Sequence, residues 1–228
     1  MAEIADVTAL LSQKVGRIVA TMPGAAGVFA ARGIDFCCSG DQTLAEAVER
    51  RQLDAGALLG ALAAGGPAGE PMLLADSAPS AELIEHIKTR YHVVHLQELQ
   101  GLIPLAETIE AVHRQHPAAP AGLAAVLARL RAEMVLHQKR EEVVLFPMML
   151  AGGGPMIAAA IATMRSEHDG HGAALVEIDR LTHDRSVPED GCRSWRALCA
   201  ALTKLHDDMV THIHLENNIL FPRFAAAA

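Results

Sequence analysis

Strict alternation of apolar and polar residues is rare along this chain, so half-buried strands are scarce and an all-α fold is expected. From Ser80 onward the pattern is long and helical, in four stretches. The first opens with Ser80 as N-cap and Glu82, Leu83 and Ile84 behind it, and runs through Tyr91 and His92 towards His113. Pro104 lies inside it and is expected to kink it. HPAAPAG (116–122) breaks the pattern, and the second stretch runs from Leu123 to Met149, ended by AGGGP (151–155). The third runs from Met156 to His183 and the fourth from Arg193 to Phe224. Pro147 and Pro222 sit near the ends of the second and fourth. Helices of about 20–30 residues with short connections predict an up-down four-helix bundle over 80–228. Residues 1–62 hold shorter helical patterns around a cysteine loop and are read as a small N-terminal helical domain. Residues 63–79, rich in Gly, Pro and Ala, are read as a linker.

Composition narrows the classes. Of 228 residues, 51% are hydrophobic and 20% charged, which excludes a disordered chain. The net charge of −8 argues against nucleic acid as a partner, because a general nucleic-acid surface needs clustered Lys and Arg. No basic amphipathic helix and no apolar run of about 18 residues points to a membrane. The first residues lack a basic segment before an apolar core, so no signal peptide is expected. Of the four cysteines, Cys37 and Cys38 are adjacent, which suits a reactive pair better than a disulfide framework and suggests a reducing, cytoplasmic setting.

The twelve histidines are patterned. His137, Glu141, Leu145, Phe146 and Pro147 spell HxxxExxxLFP, and His212, Glu216, Leu220, Phe221 and Pro222 spell it again 75 residues later. One helix upstream of each stands an HxxH, at His92–His95 and at His168–His171. The bundle thus reads as two related helical hairpins. Residues four apart share a helix face, so each HxxxE offers an imidazole and a carboxylate to one interior point. Antiparallel neighbours bring His92 and His168 opposite these motifs. Four histidines and two glutamates would then share one buried volume, at high cost without compensating cations. Two metal ions resolve this: two imidazoles each, bridging carboxylates, and one solvent-derived bridging oxygen. Open positions would admit O2 or NO. Mixed imidazole and carboxylate ligands suit iron, manganese or zinc. The dominance of histidine and the lack of thiolates favour two iron ions, a non-haem di-iron centre with an oxo or hydroxo bridge.

His86, His113, His116, His183 and His206 are expected at the surface or behind the ligands. His95 and His171 could compete for the metal, and His214 points elsewhere. The loop from Gly33 to Leu44 is expected to turn at Gly33 and Gly40, with Thr43 capping the next helix. Thiols near a helix N-terminus gain thiolate character, which makes Cys37 and Cys38 either a reactive or iron-binding pair or two small packed residues. Cys192 and Cys199, seven apart, read as buried inert thiols.

These residues carry a resemblance. GIDFCCSGDQTL resembles the N-terminal signature of the repair-of-iron-centres family, the ScdA-like di-iron proteins. RYH around His92, HxxxEExxLFP from His137, SEHD around His168 and HIxLENNxLFPR from His212 resemble that family's hemerythrin-like domain. The resemblance covers nearly the whole chain in one order. It implies iron ligands at His92, His137, Glu141, His168, His212 and Glu216, with Glu133 and Glu167 behind them or along an access path. The family pattern carries glycine where Ser39 stands.

The function so implied is repair of iron–sulfur clusters damaged by nitrosative or oxidative stress, with damaged iron–sulfur proteins as clients and iron donation as the means. It leans away from an enzyme. The rival readings are a di-iron enzyme that binds or reduces NO or O2, and a hemerythrin-like sensor or store of those gases. A monomer or a homodimer is expected.

Overall fold

The computed structural model describes residues 9–22, 24–65 and 78–225. Most of the expected linker lies outside them. Among the described residues there is no strand, only an isolated antiparallel bridge between Lys14 and Thr43. The chain divides into two compact units, one built from residues up to Leu83 together with those from Ile213, the other from Ile84–His212.

In the first unit, α1 (Val15–Thr21), α2 (Ala25–Ala30), α3 (Leu44–Arg51) and α4 (Ala55–Ala64) are short. Isolated helices of this length are marginal, so caps and packing decide them. Thr43 caps α3 as expected: its hydroxyl accepts from Glu46 N, and Glu46 Oε2 accepts from Thr43 N at 2.7 Å. Asp54 caps α4, accepting from Ala57 N at 2.8 Å. The loop 31–43 is tied at its C-terminal end, where Val15 N donates to Gln42 O and Leu44 N to Gln13 O, both at 2.9 Å. The C-terminal segment contributes a π-helical turn, π3 (Leu215–Leu220), which packs on α1, and a last turn, α11 (Pro222–Ala225). Phe29, Leu44, Leu58, Leu220 and Phe221 are fully buried here.

The second unit holds the bundle helices. α5 (Ser80–His86) continues through a π turn, π1 (Ile87–His92), into α6 (Val93–Val112). α7 (Leu123–Arg140) continues through π2 (Glu141–Leu145) into α8 (Phe146–Leu150). α9 (Ile157–Leu181) and α10 (Arg193–His214) complete the set, and α10 runs on into π3 without a break. Ser80 is the first helical residue rather than the cap. Pro79 O accepts the first helical bond, from Leu83 N, and Ser80 Oγ accepts from Arg223. Pro104 sits inside α6, which stays one helix through it.

The up-down topology follows from which residues meet. His92 faces Glu142 at one end of α6 and α7, while Glu110 receives Ala124 N at the other. His137 meets Glu167, and Arg129 pairs with Glu177, which runs α7 against α9. Arg90 pairs with Asp208 and Lys204 with Glu98, which runs α6 against α10. Buried apolar residues recur at three- and four-residue steps: Leu99, Leu102, Ala106, Ile109 on α6; Leu123, Leu127, Leu130, Met134 on α7; Leu198, Leu202, Leu205, Met209 on α10. Continuing each row by the same step reaches His92 and His95, then His137 and Glu141, then His212. The candidate ligands therefore occupy core positions, and the hydrophobic stripe that assembles the bundle also aims them inward.

Candidate metal centre

The structure gathers the predicted histidines and glutamates in pairs across helices. His92, Glu141 and His212 offer ligand atoms within 4.8 Å of one another, and so do His137, Glu141 and His168. Glu141 belongs to both sets. The ring centroids of His92 and His212 are 5.1 Å apart, and Nε2 of His137 lies 3.1 Å from Nε2 of His168. Nε2 of His92 and of His137 each lie 3.3 Å from Oε2 of Glu141. Glu216 stands one turn beyond His212 on the same continuous helix and is buried, as are the other five.

The outward nitrogens are held by carboxylates. Nδ1 of His92 lies 2.8 Å from Glu142 Oε1, and Nδ1 of His137 lies 2.8 Å from Glu167 Oε2. A neutral imidazole donating from Nδ1 keeps its Nε2 lone pair for the interior, the arrangement metal-binding histidines adopt. Arg140 Nη1 donates to the other oxygen of Glu167 and holds that carboxylate in turn. Glu167 was legible from the family resemblance. Glu142 was missed, although its signal was the second glutamate of the run after His137. Glu133, also expected behind the ligands or along a path, is exposed. With Glu167, His171, Arg129 and Arg140 it lines a cleft of about 410 Å³.

The helix geometry at the ligands departs from the expected regular α-helix. Three π turns occur at them: His92 closes π1, Glu141 opens π2, and Glu216 is the second residue of π3. Phe146 N donates to Glu141 O, and Phe221 N to Glu216 O, each across five residues. In both copies a proline follows the phenylalanine. Proline lacks an N–H and its ring presses on the carbonyl four residues back, so a locally widened turn accommodates it. The repeated LFP is thus the sequence trace of a repeated π turn.

Aromatic contacts fix the ligand rings. Tyr91 stacks on His212 with centroids 5.4 Å apart and planes 6° apart, and Phe146 stacks on His92. His95 and His171, the possible competitors, belong to neither ligand set. Burial, reinforced by the neighbouring His212, pushes His95 down to about 2, so it stays a neutral imidazole. His214 points elsewhere as expected: its Nδ1 lies 3.4 Å from Phe36 O and 3.2 Å from Asn218 Nδ2.

The fit to metal rests on Glu141. Both its oxygens are buried without a hydrogen-bond partner, and two imidazole nitrogens approach at 3.3 Å. A carboxylate so placed is costly unless a cation compensates it.

The cysteine loop corrects one expectation. Cys37 does not gain thiolate character: it lies well before α3 begins at Leu44. Its hydrogen bond with Cys38, burial and the Asp35 carboxylate all push its thiol far up. Gly33 adopts a left-handed turn with φ +63°. Gly40 is needed for a different reason, because a Cβ there would stand 2.0 Å from Asn218 Oδ1. Cys199 is buried as expected, its thiol 3.5 Å from Ser186 O, whereas Cys192 is half-buried and lies 3.3 Å from His113 Nε2.

Residues 83–224 match the family model described as the hemerythrin HHE cation binding domain, and residues 11–65 match ScdA_N, described as a domain of unknown function. The chain belongs to the family of hemerythrin-type cation-binding proteins that carry an ScdA N-terminal domain. It is 42% identical over 220 residues to the iron-sulfur cluster repair protein YtfE of Cronobacter sakazakii, covering 96% of this chain and 98% of that one. It is 39% identical to the proteins of the same name from Citrobacter koseri and Escherichia coli, over 94% of this chain and 97% of each of theirs. The expected resemblance and the all-α class are borne out. No described helix is long and apolar enough to cross a membrane.

Proposed function

We propose that this chain repairs damaged iron–sulfur clusters by giving up iron held in its bundle. The single observation that carries the reading is Glu141, a buried carboxylate without hydrogen-bond partners, shared by two pairs of histidines on four helices. His92 and His212 would hold one iron and His137 and His168 the other, with Glu141 common to both sets and Glu216 the sixth expected ligand. Ferrous and ferric ions supply redox and Lewis-acid chemistry to such a site, and positions not filled by protein admit NO or O2.

The chain's own residues keep the iron releasable. Every proposed ligand is an imidazole or a carboxylate, and protonating either weakens its hold. Glu142 and Glu167 orient His92 and His137 and make their inward nitrogens better donors. The cleft lined by Glu133, Glu167, Arg129 and Arg140 opens beside Glu167, the carboxylate that holds His137 Nδ1. The repair role rests on the likeness to the relatives of that name, and the donor chemistry on these ligands. The clients are damaged iron–sulfur proteins. The expected domain boundaries, 1–62 and 80–228 with a linker between, belong to the same proposal.

The test loads the protein with labelled iron and mixes it with an enzyme whose cluster has been destroyed by NO. Recovered activity with label in the enzyme supports donation. Recovery no better than with free iron rejects it. Steady-state NO consumption with an electron donor would make the protein a reductase instead, and reversible spectral change without iron loss would make it a store or sensor.

A further inference from the structure

Asp35, Cys37 and Cys38 lie in the loop 31–43 and belong to neither histidine set. Their ligand atoms fall within 4.8 Å of one another. The two sulfurs stand 3.7 Å apart, and Cys37 Sγ lies 3.3 Å from Asp35 Oδ1. Two thiolates bound at about 2.3 Å to a tetrahedral ion stand about 3.8 Å apart, and a thiolate and a carboxylate oxygen on that ion about 3.5 Å. The loop therefore already has the bite of a chelate. A disulfide would need the sulfurs at about 2.0 Å.

We propose that Asp35, Cys37 and Cys38 bind one thiophilic divalent cation, such as Fe2+ or Zn2+, with the fourth position open to an exogenous ligand. This site is independent of the bundle centre and of the repair reading.

The frame around it is built. Asn217 Nδ2 donates to Cys37 O at 3.1 Å, and Asn218 Nδ2 donates to Phe36 O at 3.0 Å. Asp35 Oδ1 accepts from the backbone N–H of Cys37 and of Cys38, and Ser39 Oγ donates to Oδ2 at 2.9 Å. Gln42 Nε2 donates to Asp35 O at 3.1 Å. Ser39, standing where the family pattern has glycine, thus fixes the carboxylate. A hollow of about 100 Å³ lined by Asp35, Ser39, Gln42, Arg50 and Arg51 adjoins the site on the Asp35 side.

On binding, the cation replaces the Cys37 S–H as a partner of Asp35 Oδ1. Both thiols lose their protons to solvent, and no redox step is involved. Two thiolates and a carboxylate on a divalent ion leave one negative charge, which Arg50 and Arg51 beside the hollow offset.

Cobalt(II) added anaerobically to the full-length, metal-free chain tests this. Sulfur-to-cobalt charge-transfer absorption reports thiolate ligation, and the bundle centre, having no sulfur, is silent in it. One cobalt per chain is expected to develop this band. Cys37→Ser and Cys38→Ser each abolish it, and Cys192→Ser with Cys199→Ser leaves it intact. Asp35→Asn weakens the affinity by roughly tenfold or more. Cys38→Ser, at a half-exposed thiol, provides the variant that keeps its helicity should Asp35→Asn disturb the loop. No band in the wild type, or one that survives either cysteine substitution, overturns the site. Unchanged affinity in a folded Asp35→Asn protein removes Asp35 from it.

Discussion

Nδ1 of His137 lies 2.8 Å from Oε2 of Glu167, on the neighbouring helix, and this contact decides which ring nitrogen faces the interior. His92 and Glu142 repeat it at the same distance. One partner comes from the facing helix α9, the other from π2 beside Glu141. Because Arg140 also holds Glu167, His137 has the more firmly supported ring. Glu167→Gln and Glu142→Gln should each lower iron affinity by about 10–100-fold while leaving the ligand set complete. Competition with a chelator reads this directly, and affinities equal to wild type would remove the orienting role.

Glu141→Ala should empty the centre. It removes the one carboxylate common to both histidine sets and leaves imidazoles alone to hold divalent ions. If the proposed di-iron centre forms, iron content measured anaerobically should fall from about two ions per chain to fewer than one, and the Mössbauer signature of a coupled pair should vanish. Two irons with unchanged spectra would show that another group bridges them. The metal-free variant should be no less stable than metal-free wild type, because the change removes a buried carboxylate that has no hydrogen-bond partner there.

The repeat was legible because a helix turns four residues into one face. HxxxE, with HxxH one helix upstream, marked every proposed ligand before any contact was known. The thiol chemistry was not legible in that way. A cap lowers a thiol only at the helix end, and the six residues between Cys37 and Leu44 hide how far Cys37 stands from α3. The π turns left their trace as LFP, but a proline in a helix also permits a kink, and periodicity does not separate the two. Glu142 escaped because adjacent glutamates look alike until the helix widens at π2 and one of them turns outward. The role of Ser39 needed the position of Asp35, four residues back.

Gly40→Ala should loosen the cysteine loop. The added Cβ would stand 2.0 Å from Asn218 Oδ1, and Asn218 has little room to retreat because a Cβ at Gly16 would also crowd it, at 2.7 Å. Overpacking of this kind costs about 1–3 kcal/mol. Asn218→Ala should cost stability too, since it removes the hydrogen bonds to Phe36 O and Cys37 O. The double variant should be less destabilised than the sum of the two, because the clash and its partner disappear together. Chemical denaturation of all four proteins checks this, and strict additivity would place the strain elsewhere.

Acid should weaken the bundle through Asp208. Burial favours its neutral form, but hydrogen bonds from Arg90 at 2.9 and 2.8 Å and from Lys204 at 2.7 Å outweigh that and hold the carboxyl below its usual range. A carboxylate whose folded pKa lies below its unfolded one binds fewer protons when folded. Its stabilisation is therefore complete above the unfolded value, about 3.9, and is lost as pH falls through the folded value. Arg90→Ala should cost about 1–3 kcal/mol at neutral pH, where the pair is ionised and charge-assisted. The gap between wild type and Asp208→Asn should be widest near pH 7 and narrow below about pH 4. Urea unfolding of the metal-free proteins isolates this from loss of the bundle's cations. A gap that stays constant down to pH 2 would mean that Asp208 acts through packing rather than charge.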